Sequence, residues 1–141
     1  LYGTGEMDIR KAAATAVEIL DFVGFRYNPN ALASELNLAD RKKLEIARAL
    51  ATRPDLLLLD EVFAGLNETE IKEAISLIFK IRDNMDITIF MVEHVLSAIM
   101  KTCSRVIVLD YGQKLAEGTP REVANDPRVI EAYLGGAVCS T

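Results

Sequence analysis

A run of four leucines that ends in two acids constrains the fold of this chain more than any other feature of its sequence. Residues 56–59 are all leucine, Pro54 stands just ahead of them, and Asp60 and Glu61 follow directly. An apolar run this short, with a helix breaker ahead of it, predicts a β-strand buried on both faces of a parallel sheet. Ligands bind at the carboxyl ends of strands in such sheets, so the acids stand where a ligand would lie. The alternative is a strand that ends in an ordinary polar turn.

Further apolar runs predict the rest of the sheet. The predicted elements are strands over 87–92 and 106–109 and helices over 69–84 and 96–102. This alternation of strand and helix is typical of an α/β domain with a mostly parallel sheet flanked by helices. A tight turn and an alternating strand over 114–118 predict a terminal hairpin, and Thr119 is expected to cap the helix that follows.

The chain upstream of the leucine run has only helical patterns. Apolar spacing predicts one helix that Gly24 ends and a second helix, over 40–51, that Asp40 caps. The sequence therefore predicts a helical subdomain over 1–52 that precedes an α/β portion over 53–141.

The composition excludes several classes of protein. The net charge is -5 at pH 7, and an acidic chain lacks the excess of Lys and Arg that binding to a nucleic-acid backbone requires. His94 is the only histidine, which excludes a metal site built from several histidines. Cys103 and Cys139 form neither a metal-binding spacing nor a disulfide framework, so a reducing, cytosolic compartment is expected.

His94 lies 33 residues after Glu61, just past the second predicted strand. If the two strands are parallel neighbours, their carboxyl ends meet at one edge, where His94 could donate a hydrogen bond to a terminal phosphate. At the same edge Asp60 could hold Mg²⁺ through water, and Glu61 could polarise a water for attack on that phosphate. The alternative for His94 is a histidine that caps the following helix.

Several segments together resemble the ATPases of ATP-binding-cassette (ABC) transporters. The run RKKLEIARALATRPDLLLLDE at 41–61 is similar to their signature helix followed by their Walker B strand, in that order. The sequence AGLN at 64–67 resembles their D-loop, His94 resembles their switch histidine, and 108–120 resembles their terminal hairpin. Within the family, the D-loop and the segment 127–135 are most similar to importers of branched-chain amino acids.

The resemblance implies the C-terminal portion of a P-loop NTPase domain, and a subunit that uses ATP and Mg²⁺ to drive the uptake of branched-chain amino acids. In that family a pair of ATPase subunits closes around ATP and moves attached membrane subunits. The implied partners are thus a second ABC ATPase subunit, identical or different, and membrane permease subunits, without nucleic acid. The implied location is the cytoplasm, peripheral on the inner face of the cell membrane.

The resemblance also implies roles for individual residues. Glu61 would be the general base, Asp60 the Mg²⁺ ligand, and His94 the phosphate sensor. Asn67 would lie in the segment that crosses the dimer interface. The signature segment, which in the family contacts the ATP held by the other subunit, corresponds to Asn37, Leu38, Ala39 and Asp40.

The signature segment departs from the family pattern. Relatives usually have Leu-Ser-Gly-Gly-Gln where this chain has Leu36-Asn37-Leu38-Ala39-Asp40. Asn37 could still donate to a phosphate oxygen, whereas Ala39 in place of glycine limits close approach of the backbone. Asp40 either brings a negative charge to an anion site or serves only as the N-cap of its helix.

A phosphate-binding loop of the form Gly-x-x-x-x-Gly-Lys-Ser/Thr is absent from the 141 residues. Such a loop supplies most of the backbone donors and the lysine that hold nucleotide phosphates. We therefore expect a fragment of a longer ATPase that does not hydrolyse ATP by itself. The competing expectation is a complete protein that has lost nucleotide binding.

Other functions fit parts of the same pattern. A docking or regulatory module of the same fold, without turnover, would use the helical subdomain to bind a partner. A chromosome-maintenance ATPase of the same superfamily would need long coiled coils, and the sequence contains no sustained heptads with flanking charge pairs.

Overall fold

The computed structural model describes residues 9–28 and 30–134 and shows a mixed α/β fold. Its elements in chain order are α1 (Ile9–Phe22), a 3₁₀ turn (Ala33–Glu35), α2 (Leu38–Leu50), β1 (Leu56–Asp60), α3 (Glu68–Asn84), β2 (Thr88–Val92), α4 (Leu96–Thr102), β3 (Val106–Asp110), β4 (Gln113–Gly118), α5 (Pro120–Ala124) and α6 (Pro127–Leu134). None of the helices in the described ranges combines the length and the apolarity that crossing a bilayer requires.

The chain divides into two compact units, of which the first ends at Glu93 and the second begins at His94. The boundary that the sequence predicted, between residues 52 and 53, stays a prediction. The α/β class itself is confirmed, because helices and strands alternate from β1 onward as the apolar runs indicated.

In the first unit, β1 and β2 form a parallel pair. Leu56 lies opposite Thr88, and the register continues without a break to Asp60 opposite Val92. Helix α3 makes the connection between the strands, and a capping box formed by Asn67 and Glu70 begins it. The predicted parallel arrangement of these strands is therefore confirmed, with their carboxyl ends at one edge.

The leucine run is buried on one face only, so the prediction of two buried faces was wrong for this chain. Leu57 and Leu59 are 2% and 8% exposed, whereas Leu56 and Leu58 are 50% and 67% exposed. Phe90, the partner of Leu58 in β2, is also exposed. Side chains alternate across a strand, so covering a single face buries every second leucine.

Gly24 ends α1, as the sequence predicted. Its φ is +72°, which is the left-handed conformation that glycine adopts without cost. The N–H of Phe25 donates to the carbonyl of Leu20 at 2.9 Å, and the N–H of Gly24 donates to Asp21 at 3.1 Å. These bonds form a Schellman motif, which satisfies carbonyls at the end of the helix.

In the second unit, β3 and β4 form the predicted hairpin. Tyr111 and Gly112 make the turn with φ values of +45° and +77°, as a type I′ turn requires. The register shifts after Val108, because Val108 lies opposite Ala116 whereas Leu109 lies opposite Lys114. The intervening Leu115 therefore has no partner in β3 and forms a β-bulge.

The third apolar strand was predicted to continue the parallel sheet, but β3 pairs antiparallel with β4 in a separate two-stranded sheet. A tight turn brings the next strand alongside at little cost in chain entropy, so the local pairing is favoured. Thr119 caps α5 as predicted, within a capping box that includes Glu122. The core of this unit consists of Val108, Ala116, Val123 and Val129.

Candidate functional site

Asp60 and Glu61 lie at the carboxyl edge of the β1–β2 pair. Asp60 is the last residue of β1, and Glu61 follows it directly. Both residues are exposed, and the carboxylate of Asp60 makes no hydrogen bond or ion pair with another described residue. The edge thus presents an available carboxylate where parallel sheets bind their ligands.

The backbone of Glu61 is held from several directions. Its N–H donates to the carbonyl of Val92 at 2.9 Å, which extends the ladder one residue beyond β1. Its carbonyl accepts from the N–H of Ala64 at 3.1 Å and from Nζ of Lys42 at 3.2 Å. Its φ is +45°, which costs a residue other than glycine about 1–2 kcal/mol. Such a conformation persists because the surrounding contacts fix it.

Glu93 also contacts the turn that follows Glu61, although no sequence pattern indicated it. Its Oε1 accepts from the N–H of Phe63 at 2.9 Å. Its Oε2 is buried and has no hydrogen-bond partner among the described residues. Its position at the end of β2 could have indicated Glu93 from the sequence. Ligands bind at the carboxyl ends of parallel strands, and this applies to β2 as it does to β1.

The signature segment begins α2, but Asn37 and not Asp40 is its N-cap. Oδ1 of Asn37 accepts from the N–H of Asp40 at 2.8 Å, so the prediction of Asp40 as the cap was wrong. Asn37 has the extended backbone that an N-cap needs, with φ -68° and ψ 172°, whereas Asp40 is already in the first helical turn. Asp40 is buried and pairs with Lys43 at 3.7 Å, while Asn37 and Leu38 are exposed and Ala39 is half-buried.

The D-loop packs against the start of α2. Gly65 has a φ of +76°, and a Cβ placed on it would lie 2.8 Å from Cδ2 of Leu38. Oδ1 of Asn67 accepts from the N–H groups of Thr69 and Glu70, so its side chain caps α3. The structure therefore brings the predicted segments 37–40 and 64–67 together within the first unit.

His94 is exposed and is the first residue of the second unit. The N-cap residue of α4 is Val95, whose side chain makes no capping hydrogen bond. The alternative interpretation of His94 as a cap of this helix stays a prediction. Its convergence with Asp60 and Glu61 stays a prediction.

The residues at this edge fit a magnesium ion that has phosphate and water, more than protein side chains, in its coordination shell. Among the residues that the structure describes, no group of three or more His, Cys, Asp and Glu side chains could hold a metal ion. Mg²⁺ is commonly bound through one or two carboxylates, with phosphates and water completing its shell. The exposed carboxylate of Asp60 suits that donor set.

Comparisons with known proteins show the family of this chain. A family model described as "Branched-chain amino acid ATP-binding cassette transporter" matches residues 113–138. The "High-affinity branched-chain amino acid transport ATP-binding protein LivG" of Salmonella typhimurium is 42% identical over 127 residues, which are 90% of this chain and 50% of that protein. The corresponding protein BraF of Pseudomonas aeruginosa is 38% identical over 128 residues, with 91% and 50% covered.

Solved structures share the fold. MJ1267, described as an ATP-binding cassette of an ABC transporter in its ADP conformation, superposes with a TM-score of 0.82 at 28% identity. The match covers 95% of this chain and 54% of that one. The fold is therefore that of the C-terminal portion of an ATP-binding-cassette domain. The chain belongs to the ATP-binding-cassette family. The relatives and the family model that it matches are of the branched-chain amino acid transporter type. It spans about half the length of the curated relatives it matches.

Proposed function

We propose that this chain forms the hydrolytic edge of an ABC importer ATPase that couples ATP hydrolysis to the uptake of branched-chain amino acids. The observation that carries the proposal is the position of Asp60 and Glu61 at the carboxyl end of the parallel β1–β2 pair. The names of relatives that are 38–42% identical over nine-tenths of the chain support the substrate class.

Each residue of the site has a role in this proposal. Bound ATP with Mg²⁺ supplies the phosphoanhydride bond and the positive charge that neutralises the phosphates. Asp60 would hold the metal ion. Glu61 orients a water for in-line attack on the terminal phosphorus and accepts its proton, while the bond from that phosphorus to the bridging oxygen breaks and ADP leaves. His94 donates a hydrogen bond to the terminal phosphate.

The proposal assigns partners to the exposed segments of the first unit. Asn37 and Leu38 are exposed at the start of α2, where they can meet the nucleotide held by a second ATPase subunit. The N–H groups at a helix N-terminus favour an anionic ligand. The segment with Asn67 lies at the interface between the two subunits. Permease subunits in the membrane complete the assembly, which places the protein on the inner face of the cell membrane.

The chain alone is proposed to lack turnover, because its 141 residues contain no phosphate-binding loop. A steady-state phosphate-release assay on this chain should therefore show no ATP hydrolysis. Turnover that disappears in Glu61→Gln would contradict this expectation.

A chimera tests the activity. This chain would replace the matching half of the Salmonella LivG protein, and phosphate release would be measured with and without the change Glu61→Gln. Loss of a general base should lower kcat by about 100-fold or more. Glu45→Gln, at an exposed glutamate of α2, is the matched control and should keep full activity.

The outcomes separate the candidate functions. Leucine uptake by cells in which the chimera replaces LivG would support the substrate class. An active chimera that Glu61→Gln leaves unchanged would refute the role of Glu61. A folded chimera that binds ATP without hydrolysing it would favour the docking or regulatory module.

A further inference from the structure

Glu93 is the last residue of the first unit, and its side chain reaches from the end of β2 to the turn that follows Glu61. Oε1 accepts from the N–H of Phe63 at 2.9 Å. Phe63 is only 1% exposed, and the bond itself is partly buried. A hydrogen bond with limited access to water holds its partners in place more firmly than an exposed one.

The end of β2 therefore holds the turn at two points. The carbonyl of Val92 accepts from the N–H of Glu61, and the side chain of Glu93 accepts from Phe63, two residues further along. Glu61 begins this turn, with its left-handed φ of +45°. A strained residue keeps its conformation only when the surrounding contacts over-determine it.

The second oxygen of Glu93 is not explained by the contact with Phe63. Oε2 is buried and has no hydrogen-bond partner among the described residues. A buried acceptor without a donor destabilises a fold. Oε1 alone satisfies the N–H of Phe63, so a carboxylate with an unpaired second oxygen needs a further explanation.

We propose that Glu93 is a positioning residue that sets the direction of Glu61. By holding the N–H of Phe63, it fixes the turn and keeps the backbone of Glu61 in its left-handed conformation. The effect on hydrolysis rests on the proposed role of Glu61 as general base. The contact itself does not depend on that role and can be tested in this chain alone.

Amide hydrogen exchange of the full 141-residue chain, measured by NMR, tests the contact. Glu93→Ala should speed exchange at Phe63 by about tenfold relative to Ile81, because it removes a partly buried hydrogen bond. Glu93→Gln keeps an acceptor for that N–H and should leave the exchange rate near that of the unmodified chain. Glu45→Ala, at an exposed glutamate, is the control and should change neither rate.

Unchanged exchange at Phe63 in Glu93→Ala would overturn the proposal. If Glu93→Ala speeds exchange at all amides alike, the exchange rate at Phe63 in Glu93→Gln tests the acceptor role instead. Slow exchange at Phe63 in that variant supports the acceptor role, and fast exchange overturns it.

The LivG chimera tests the consequence for hydrolysis. Glu93→Ala should lower kcat by about tenfold to 100-fold with KM for ATP unchanged, since misplacing a catalytic group has effects of this size. Glu93→Gln should restore most of the rate. An active chimera that Glu93→Ala leaves unchanged would overturn the positioning role and leave the proposed function intact. An inactive parent chimera would count against the proposed function alone, because the exchange rates would still decide on the contact of Glu93.

Discussion

Replacing Gly65 with alanine should destabilise the first unit by more than its backbone conformation explains. Gly65 has a φ of +76°, and an alanine in this region costs about 1–2 kcal/mol. Alanine also restricts the unfolded chain, which offsets about 0.4–1 kcal/mol of that cost. The backbone effect alone is therefore about 1 kcal/mol.

The new methyl group adds a steric cost. Its carbon would lie 2.8 Å from Cδ2 of Leu38, which is closer than packed carbons approach. Overpacking typically costs about 1–3 kcal/mol, and Leu38 can yield because its side chain is 45% exposed. We therefore take the lower end of that range and expect about 2 kcal/mol for Gly65→Ala in total.

Urea unfolding followed by circular dichroism measures this difference, and Gly24→Ala is the matched control. Gly24 has a similar φ of +72°, but nothing lies within 4 Å of the position of its missing Cβ. Gly24→Ala should thus cost only about 1 kcal/mol. In a Leu38→Ala background the two substitutions should become equal. If Gly65→Ala is no more destabilising than Gly24→Ala in the unmodified chain, the packing argument is refuted.

Further predictions concern other parts of the chain. Asn67→Ala removes the cap of α3 and should lower the free energy of unfolding by about 1 kcal/mol, measured by urea unfolding. Leu58→Lys places a charge on the exposed apolar face of β1 and should reduce self-association of the chain, measured by light scattering. The side-chain hydrogen bond from Arg128, together with backbone donors, lowers the pKa of Asp126 from 3.8 to about 2. The stabilisation that ionised Asp126 gives the fold should be complete above pH 3.8 and should disappear as the pH falls through about 2. Arg128→Leu should raise the midpoint of Asp126 in an NMR titration.

Each of these predictions has an outcome that contradicts it. Asn67→Asp keeps an N-cap acceptor, so a loss of stability equal to that of Asn67→Ala would argue against the cap. Equal light scattering by the parent and by Leu58→Lys would show that the exposed face does not drive association. An Asp126 midpoint that Arg128→Leu leaves near pH 2 would exclude the guanidinium as the principal cause.

The sequence predicted the acidic edge because two strong local signals agree there. The leucine run ends at Asp60, and the β-branched and aromatic run of β2 ends at Val92, so both strands were recognisable from composition alone. Their parallel pairing followed from the helix between them. The structure confirms that both strands end at one edge, where Asp60 lies opposite Val92.

The predictions that failed depend on neighbours that a sequence pattern does not specify. Leu58 is as apolar as Leu57, and only the packing of one sheet face distinguishes them. Asn37 caps α2 because its backbone is extended. The amino-acid sequence of the segment 36–40 does not specify that conformation. The partner of β3 was set by the tight turn after Asp110.

The contacts of Glu93 and Lys42 could not be predicted from the sequence for a different reason. Glu93 binds a backbone N–H 30 residues away, and Lys42 binds a backbone carbonyl 19 residues away. A backbone partner places no demand on the type of its residue. No pairing of side-chain types in the sequence could therefore indicate either bond.

The bulge at Leu115 allows the terminal hairpin to lose one residue without a change in its strand pairing. Deleting Leu115 would leave every pair between β3 and β4 in place, from Val106–Gly118 to Asp110–Gln113, and would remove only the contact of its side chain with the core. Homologous hairpins can thus differ in length by one residue at this point while α5 still begins at the same place. A change of length elsewhere in β4 would instead exchange the faces of the side chains beyond it.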